Sequence, residues 1–528
     1  MSHHFATLNN GGAIPRSQIP EMSFAEFRRE IVDAIAAGRR ISALFGDAPS
    51  NSNSVDLYAV LAESTQGQLR IGKTQLNGDH FASLTPDCPQ AHLFEREIAE
   101  QYGVLPDGHP WFKPVRFHAS YRPGHDAWGR NVGWDSVPTT SASAGESKES
   151  GRSPNLRIGD TDYYRVEGDE IHEVAVGPVH AGVIEPGHFR FQCHGEQVFH
   201  LEISLGYQHR GAERTLVGGP NKRTLHTIET VAGDTSIGHA TAYCQAVEAL
   251  AGCDVPHRAN VLRGIALELE RLANHTGDLG ALAGDVGFLP TASYCGRLRG
   301  DFLNLSALIC GNRFGRSMVR PGGVAFDIEE TRKQTALERL AGALRDVTNA
   351  AELLFDSASV QARFENTGTV TRETAVALGL VGPAARACGV PGDVRNDFPT
   401  GIFRTVKPKI AVLQTGDVSA RAEMRWQEIQ NSVAFIQEQL AALSDGPIGV
   451  DVGSLQPEQV AVSLVEGWRG EICHVALTDA NSRFARYKIV DPSFHNWMGL
   501  AMSLREQQIS DFPLCNKSFN LSYCGHDL

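Results

Sequence analysis

The residues through which this chain could do chemistry are its ten cysteines, its histidines and a few isolated acids. Their spacing decides what chemistry is open to them. The cysteines stand at 88, 193, 244, 253, 295, 310, 388, 473, 515 and 524. No two are separated by two residues, so every Cys-x-x-Cys metal or redox motif is missing. Most read as small buried apolar residues. Cys515, Cys524 and His526 could together ligate a metal, without paired spacing to support them. In Ile228–Glu248, IETVAGDTSIGHATAYCQAVE, a Gly-containing turn at Ala232-Gly233-Asp234-Thr235 leads into His239, Tyr243 and Val247 at helical spacing. That is the start of a buried helix. His180 and His188 sit in a Gly-Pro loop, where a histidine ordinarily bonds within the turn. Asp417 precedes a helix and is first of all an N-cap. Arg421, four residues on, could hold an anion or a carboxylate.

The elements that must position these groups follow from periodicity. Ser23 with Glu26 is a capping-box pattern opening an amphipathic helix through about Leu44. Val55–Ala62 and Gln68–Leu76 read as strands, and Ala91–Tyr102 as a helix ending at Gly103. Alternation over residues 162–206 reads as hairpin strands. A helix starts near His257, with Glu268 and Arg271 as an i, i+3 ion pair on it. Further helices are expected at Ser293–Gly311, Ile328–Ser357 and Ser419–Leu443, the pattern of a helical bundle. EICHVALTD and RFARYKIVDPS form a late hairpin whose Arg483, Arg486 and Lys488 read as a solvated basic edge.

At 528 residues the chain exceeds one ordinary core. Residues 1–20 are expected to be flexible, 21–135 a small α/β domain, 136–157 a Ser/Gly/Glu-rich linker, and 158–528 a larger, mainly helical domain. The fold class is α+β. With 48 basic against 61 acidic residues the net charge is −13, which argues against a global nucleic-acid footprint. No apolar run approaches the ~20 residues that span a bilayer. The N-terminus lacks a signal pattern, so the chain is expected in the cytoplasm.

HLFEREIAEQYGVLPDGHPWFKPVRF resembles the signature of the complex I C-subunit (the 30-kDa type), through Glu95, Arg96, Glu97, Glu100, Tyr102, Gly103, Gly108, His109 and Pro110. On spacing alone it reads as an exposed charged helix and a Gly-Pro loop. The resemblance implies a docking domain without a cofactor. GPVHAGVIEPGHFRF, LGYQHRGAER and the Glu268-x-x-Arg271-x-x-Asn274-His275 pattern resemble complex I D-subunits and the large subunits of formate-hydrogenlyase-type complexes. Gly416-Asp417-Val418-x-Ala420-Arg421 matches a motif of the same large subunits. His180 matches the first of two D-subunit histidines. His188 stands in for the second, associated with the quinone headgroup, but lies further along the loop than the family spacing.

Ile228–Glu248 also resembles the first metal motif of [NiFe]-hydrogenase large subunits, Glu-Arg-x-Cys-Gly-x-Cys followed by His. Glu229, Gly233 and His239 match, while Ala232 and Thr235 occupy the ligand positions. Asp491-Pro492-Ser493-Phe494-His495-Asn496 resembles the second motif, with Ser493 and Asn496 in place of both sulfurs. None of the four offers a thiolate, the soft anionic donor nickel and iron need here. A Ni–Fe centre is therefore expected to be absent. The tyrosine and arginine beside quinone in complex I fall at Gly233 and Thr230.

The resemblance implies a fused C/D-type subunit of a membrane-associated, hydrogenase-like or NADH:quinone oxidoreductase-like complex. Its partners would be a [4Fe–4S] small subunit of the complex I B type, a ferredoxin-like subunit, and antiporter-like and H-subunit-like membrane proteins. They would hold it peripherally on the inner face of the membrane. It would pass electrons from the neighbouring cluster to quinone or another small acceptor, coupled to ion translocation. His188, Asp234, His239 and His495 are the candidate proton donors, and His180, His188 and Arg421 the candidate acceptor-cavity residues. NAD chemistry belongs to the complex, since no Gly-x-Gly-x-x-Gly follows a strand here. The alternative is a catalytically silent coupling subunit of a hydrogenase-4-like complex.

Overall fold

A computed structural model describes residues 5–48, 54–129, 162–180 and 184–528. The expected linker, 136–157, lies outside the described residues.

Ser23 opens the first helix, Phe24–Ala36, with a capping box: Glu26 N–H donates to Ser23 Oγ at 3.3 Å and Ser23 N–H to Glu26 Oε2 at 3.1 Å. The helix stops at Ala36, eight residues short of Leu44. Gly38, at φ +86°, turns the chain into a strand, Arg40–Asp47. Ile41, Ala43, Leu44 and Phe45 are all buried there, so sheet packing claims residues whose spacing suits a helix equally well. This strand pairs antiparallel with Val55–Glu63, which pairs with Gln68–Leu76. The helix His92–Tyr102 follows and ends at Gly103, φ +67°. A Cβ at Gly103 would lie 2.7 Å from the His125 backbone, so the position admits only glycine.

The 92–102 helix is not the exposed charged helix its spacing suggests. Glu95, Glu97 and Glu100 are at most 1% exposed. The basic edge of the late hairpin is likewise corrected, because Arg486 and Lys488 are buried. Glu95 accepts from Ser83, Thr85 and the Leu84 N–H, and Glu100 from the Val115, Arg116 and Phe117 N–H groups, whereas Glu97 meets the hairpin. Lys488 Nζ donates to Glu97 at 2.7 Å and to Glu213 at 2.9 Å, and Arg486 donates to Glu213 at 2.9 Å. Arg116 bonds Glu97 from the other side. The charges satisfy one another between the N-terminal region and the rest of the chain.

The N-terminus joins the same interface. Residues expected to be flexible form the strands Ala6–Leu8 and Gly12–Pro15. Gly12–Pro15 is the edge strand of a four-stranded antiparallel sheet with Gln459–Gly467, Gly470–Thr478 and Phe484–Val490. Asn10 fixes it, its amide bonding Phe398 O, Leu464 O and Leu464 N–H at 2.7–2.9 Å. Val462, Cys473 and Val475 of this sheet share one apolar core with Phe45 and Phe94.

The remaining core is helical and mixed with small antiparallel sheets, an α+β architecture. Helices Ser236–Ala251, His257–Asp285, Leu289–Cys310, Glu330–Phe355 and Val418–Ala441 build it. The 257–285 helix runs between 289–310 and 418–441. Among the described residues no helix is long and apolar enough to cross a membrane.

Candidate functional site

The turn at 232–235 leads into the 236–251 helix, whose first N–H groups need acceptors. A neighbouring helix supplies one. The Glu270 carboxylate accepts from Ile237 N–H at 2.7 Å and Gly238 N–H at 3.1 Å. Burial pushes this carboxyl up to about 8, against those two hydrogen bonds. Ser236 Oγ donates to Glu229 O, tying the turn back on itself.

Asp234 projects from the turn onto Arg469, whose terminal nitrogens donate to it at 2.6 and 2.8 Å. Trp468 Nε1 donates to Asp234 O and Thr235 Oγ1, both at 3.1 Å. Asn274 donates to Asp234 O at 2.9 Å. The Arg469 guanidinium lies 3.8 Å from the Trp468 ring centre. Burial opposes both charges of the pair. Their mutual attraction prevails, holding Asp234 below the usual carboxylate range and Arg469 above the usual guanidinium range. The Asp234 side chain is 32% exposed while that of Arg469 is 5%, so the pair offers its acidic end to solvent.

Behind the turn runs a buried chain of four side chains. His239 Nε2 is 3.0 Å from Asp491 Oδ2, His239 Nδ1 is 3.1 Å from His474 Nε2, and His474 Nδ1 is 2.9 Å from the Tyr487 hydroxyl. An ionised Asp491 only accepts, so His239 donates to it from Nε2. Burial, reinforced by His239, holds His474 well below the usual imidazole range, so it is neutral. Asp491 is held below the carboxylate range despite burial, by His239 and Arg469. It also caps the helix Pro492–Ser503 through Ser493 N–H at 2.8 Å.

The four positions singled out in the sequence, Ala232, Thr235, Ser493 and Asn496, are all buried. Ser493 Oγ accepts from Ser522 N–H at 2.8 Å. The Asn496 amide bonds the Val381 backbone in both directions, at 3.0 and 3.1 Å. Thr235 Oγ1 is taken by Trp468, Asp234 and Arg469. Their polar atoms are thus engaged within the protein. Among the described residues no group of three His, Cys, Asp or Glu side chains is arranged to hold a metal ion. Cys524 lies against Glu185 and Gly233, burial pushing its thiol up to about 11. Cys515 packs at Gly368 and Arg421, and His526 bonds Asp527, so the three C-terminal groups have different partners.

Asp234, His239 and the two motifs at 229–239 and 491–496 therefore meet, through Asp491, Trp468 and Arg469. The other candidates lie elsewhere. His188 begins the strand His188–His194, accepts from Arg190 Nε at 3.2 Å and rests 5.2 Å from the Tyr163 ring. Burial and Arg190 lower its pKa. His180 Nε2 donates to Gly187 O at 2.9 Å, a bond within its own loop. His495 faces the 92–102 helix, 5.7 Å from Phe94, and burial pushes it down to about 3. Arg421 is fully buried and donates to Ser518 Oγ, Gly416 O and Gly368 O at 2.7–2.9 Å, which makes it a tie between loops.

Sequence reasoning missed Arg469, Trp468, Glu270 and His474. The one available signal is Gly467-Trp468-Arg469-Gly470, large and charged residues in the tight turn between two apolar strands.

Comparison with known proteins gives two family matches. Residues 29–126 match the respiratory-chain NADH dehydrogenase 30 Kd subunit, and residues 285–459 match the 49 Kd subunit. The chain is 31% identical over 352 residues to the carbon monoxide-induced hydrogenase of Rhodospirillum rubrum, covering 66% of this chain and 97% of that protein. It is 28% identical to hydrogenase-4 component G of Escherichia coli (strain K12), covering 90% and 81%. It is 27% identical to formate hydrogenlyase subunit 5 of the same organism, covering 99% and 93%.

Proposed function

The chain belongs to the family of respiratory-chain NADH dehydrogenase 49 Kd subunits, here fused to a 30 Kd-type unit and related to hydrogenase-4 subunits, and from that premise we propose an electron-delivering role without a Ni–Fe centre. It is a subunit of a complex I-like or hydrogenase-like membrane-associated oxidoreductase complex. In this reading it accepts electrons from a neighbouring [4Fe–4S] subunit and delivers them to quinone or another small acceptor. It sits peripherally on the cytoplasmic face, held by its membrane partners, and its turnover is coupled to ion movement.

The observation that carries the reading is the chemistry of positions 232, 235, 493 and 496. A methyl group, two hydroxyls and an amide do not fit a centre that demands four thiolates, and the polar three are already hydrogen-bonded. No step runs through such a centre. What the site retains is Asp234, a partly exposed carboxylate held ionised by Arg469. That pair suits a polar acceptor: Arg469 opposes build-up of negative charge, and Asp234 positions a proton-bearing group or water. His239 orients Asp491 behind it.

The test is to purify the intact complex and measure its metals and its reduction of a soluble quinone. Quinone turnover without nickel supports the reading. One equivalent of nickel with hydrogen evolution refutes it. Turnover unaffected by Asp234→Asn and by His188→Ala would instead favour a silent coupling subunit, the reading the closed hydrogen bonds of Ser493 and Asn496 also suit.

A further inference from the structure

Behind the Trp468–Arg469 turn, eight ionisable side chains meet away from solvent. Glu268, Arg271 and His275 come from the 257–285 helix, and Glu428 from the 418–441 helix. Arg386 ends the short helix Gly382–Arg386, Asp393 caps and Arg395 lies in the short helix Val394–Asp397, and Glu466 comes from the end of a strand. Arg386 contacts Glu428, Glu466 and Asp393 at 2.5, 2.8 and 3.1 Å. Arg395 contacts Asp393 and Glu268 at 2.7 and 3.0 Å, and Arg271 contacts Glu268 at 3.1 Å. His275 Nε2 lies 2.6 Å from Glu428. Every one of these side chains is at most 5% exposed.

Four carboxylates face three guanidiniums. His275 bonds Glu428 through Nε2, while its Nδ1 is buried without a hydrogen-bond partner, so a second ring proton would have nothing to bond; burial also lowers its pKa, and the ring is neutral. One negative charge is then uncompensated. The charges packed around the cluster do not supply the deficit: Arg425 with Asp278, Arg263 with Glu248, Arg469 with Asp234, and Arg40 with Glu471 cancel in pairs, and Glu270, bonded to the Ile237 and Gly238 N–H groups, is a further carboxyl. Asp397, at the rim, adds only a further carboxylate, accepting from Asp393 N–H. A net charge kept in such an interior is costly, and the inexpensive remedy is a proton.

The contacts say where the proton goes. Glu268, Glu428 and Asp393 each meet two or more arginines within 4 Å, whereas Glu466 has Arg386 and the Val394 N–H. Glu466 also lines a small cavity of about 30 Å³ with Thr241, Gln245, Asn260 and Thr400. Thr241 Oγ1 is buried there without a hydrogen-bond partner. The void is lined also by apolar residues such as Leu267, Ile402 and Phe403, but its polar side, with an unsatisfied hydroxyl beside Glu466, has room for a water molecule. We propose that Glu466 binds the missing proton, so that this cluster is a single-proton store exchanging through that cavity. Burial, then the charge of Asp393, pushes the Glu466 carboxyl up to about 7, as such a store requires.

The store is built into the site's support. Arg271 donates to Gly467 O and Glu466 O at 3.1 and 2.8 Å, and His275 meets the Trp468 ring edge-on at 6.0 Å. The residues that share the proton also hold the turn carrying Arg469. The store is the same whichever acceptor the complex serves.

Infrared titration of the intact complex tests it, read as the wild type minus Glu466→Gln difference. The expected result is a protonated-carboxyl C=O band in that difference that shifts in D2O and fades above about pH 7. The buried Glu270 carboxyl is common to both proteins and cancels in the difference, so a difference spectrum without that band below pH 7 overturns the proposal. Should Glu466→Gln fail to assemble, Glu466→Asp keeps the carboxyl and must move the band and its midpoint. A band unmoved by that change overturns it equally. Thr241→Val tests the route, and unchanged hydrogen–deuterium exchange of the band would refute exchange through the cavity.

Discussion

Arg469 grips Asp234 with both terminal nitrogens, at 2.6 and 2.8 Å, while its guanidinium rests on the Trp468 ring. The two residues are 235 positions apart in the chain. The turn that leads into one helix is thereby fastened to the turn between two strands, and a carboxylate is left partly open to solvent with its charge assured.

Asp234→Asn keeps the shape and removes the charge. Acceptor reduction by the purified complex is expected to fall about 10²-fold. Because Asp234 is about a third exposed, the cost in stability is small, about 1 kcal/mol. Steady-state kinetics and a thermal melt on one preparation separate the two effects. Full activity in a stable variant would remove Asp234 from the mechanism.

Lys488 lies between Glu97 and Glu213, and both carboxylates are buried. Lys488→Met leaves them facing each other with only Arg116 and Arg486, and is expected to cost about 3–5 kcal/mol. Burial opposes the charge of both acids, but Lys488 and the arginines outweigh it, so their folded pKa values lie below 4.5. With a depressed carboxylate pKa the unfolded chain binds more protons on acidification. The contribution is present above about pH 4.5 and lost as pH falls below it. Limited proteolysis between the N-terminal region and the rest should report Lys488→Met first.

Tyr487→Phe removes the hydroxyl that bonds His474 Nδ1 and leaves that buried ring nitrogen unpaired. A loss of about 1–3 kcal/mol is expected, measured by denaturant unfolding. His474 has a depressed pKa, through burial first and then His239. The unfolded state therefore takes a proton the folded state refuses, and stability falls as pH drops below about 6.5. His474→Asn should flatten that slope. An unchanged slope would mean another group is responsible.

Asn496→Cys would return a sulfur to one position while breaking both bonds to Val381. Destabilisation of about 1–3 kcal/mol is expected, without nickel binding in a purified complex. A variant as stable as the wild type would show that the amide does not close this part of the site.

Several local features were legible in the amino-acid order. The capping box at Ser23 and Glu26, the stop at Gly103, the strand Gln68–Leu76 and the helix start at His257 are all present as read. Each depends on residues within one or two turns of one another. The helix read through Leu44 shows the limit. Ile41 and Leu44 suit a helix face or a buried strand, and only the partner strand Val55–Glu63 decides between them.

The sequence by itself determined which residues stand at 232, 235, 493 and 496, and that none carries sulfur. It also determined the periodicity that makes Ser236–Ala251 a helix. Only the tertiary structure decided that Arg469 reaches Asp234, that Glu270 caps that helix, that His495 and Arg421 point elsewhere, and that Arg486 and Lys488 are buried. The physical reason is common to all of them. A charged side chain reads alike in sequence whether water or a counter-ion satisfies it, and here the counter-ions of Lys488 and Arg469 lie 391 and 235 positions away.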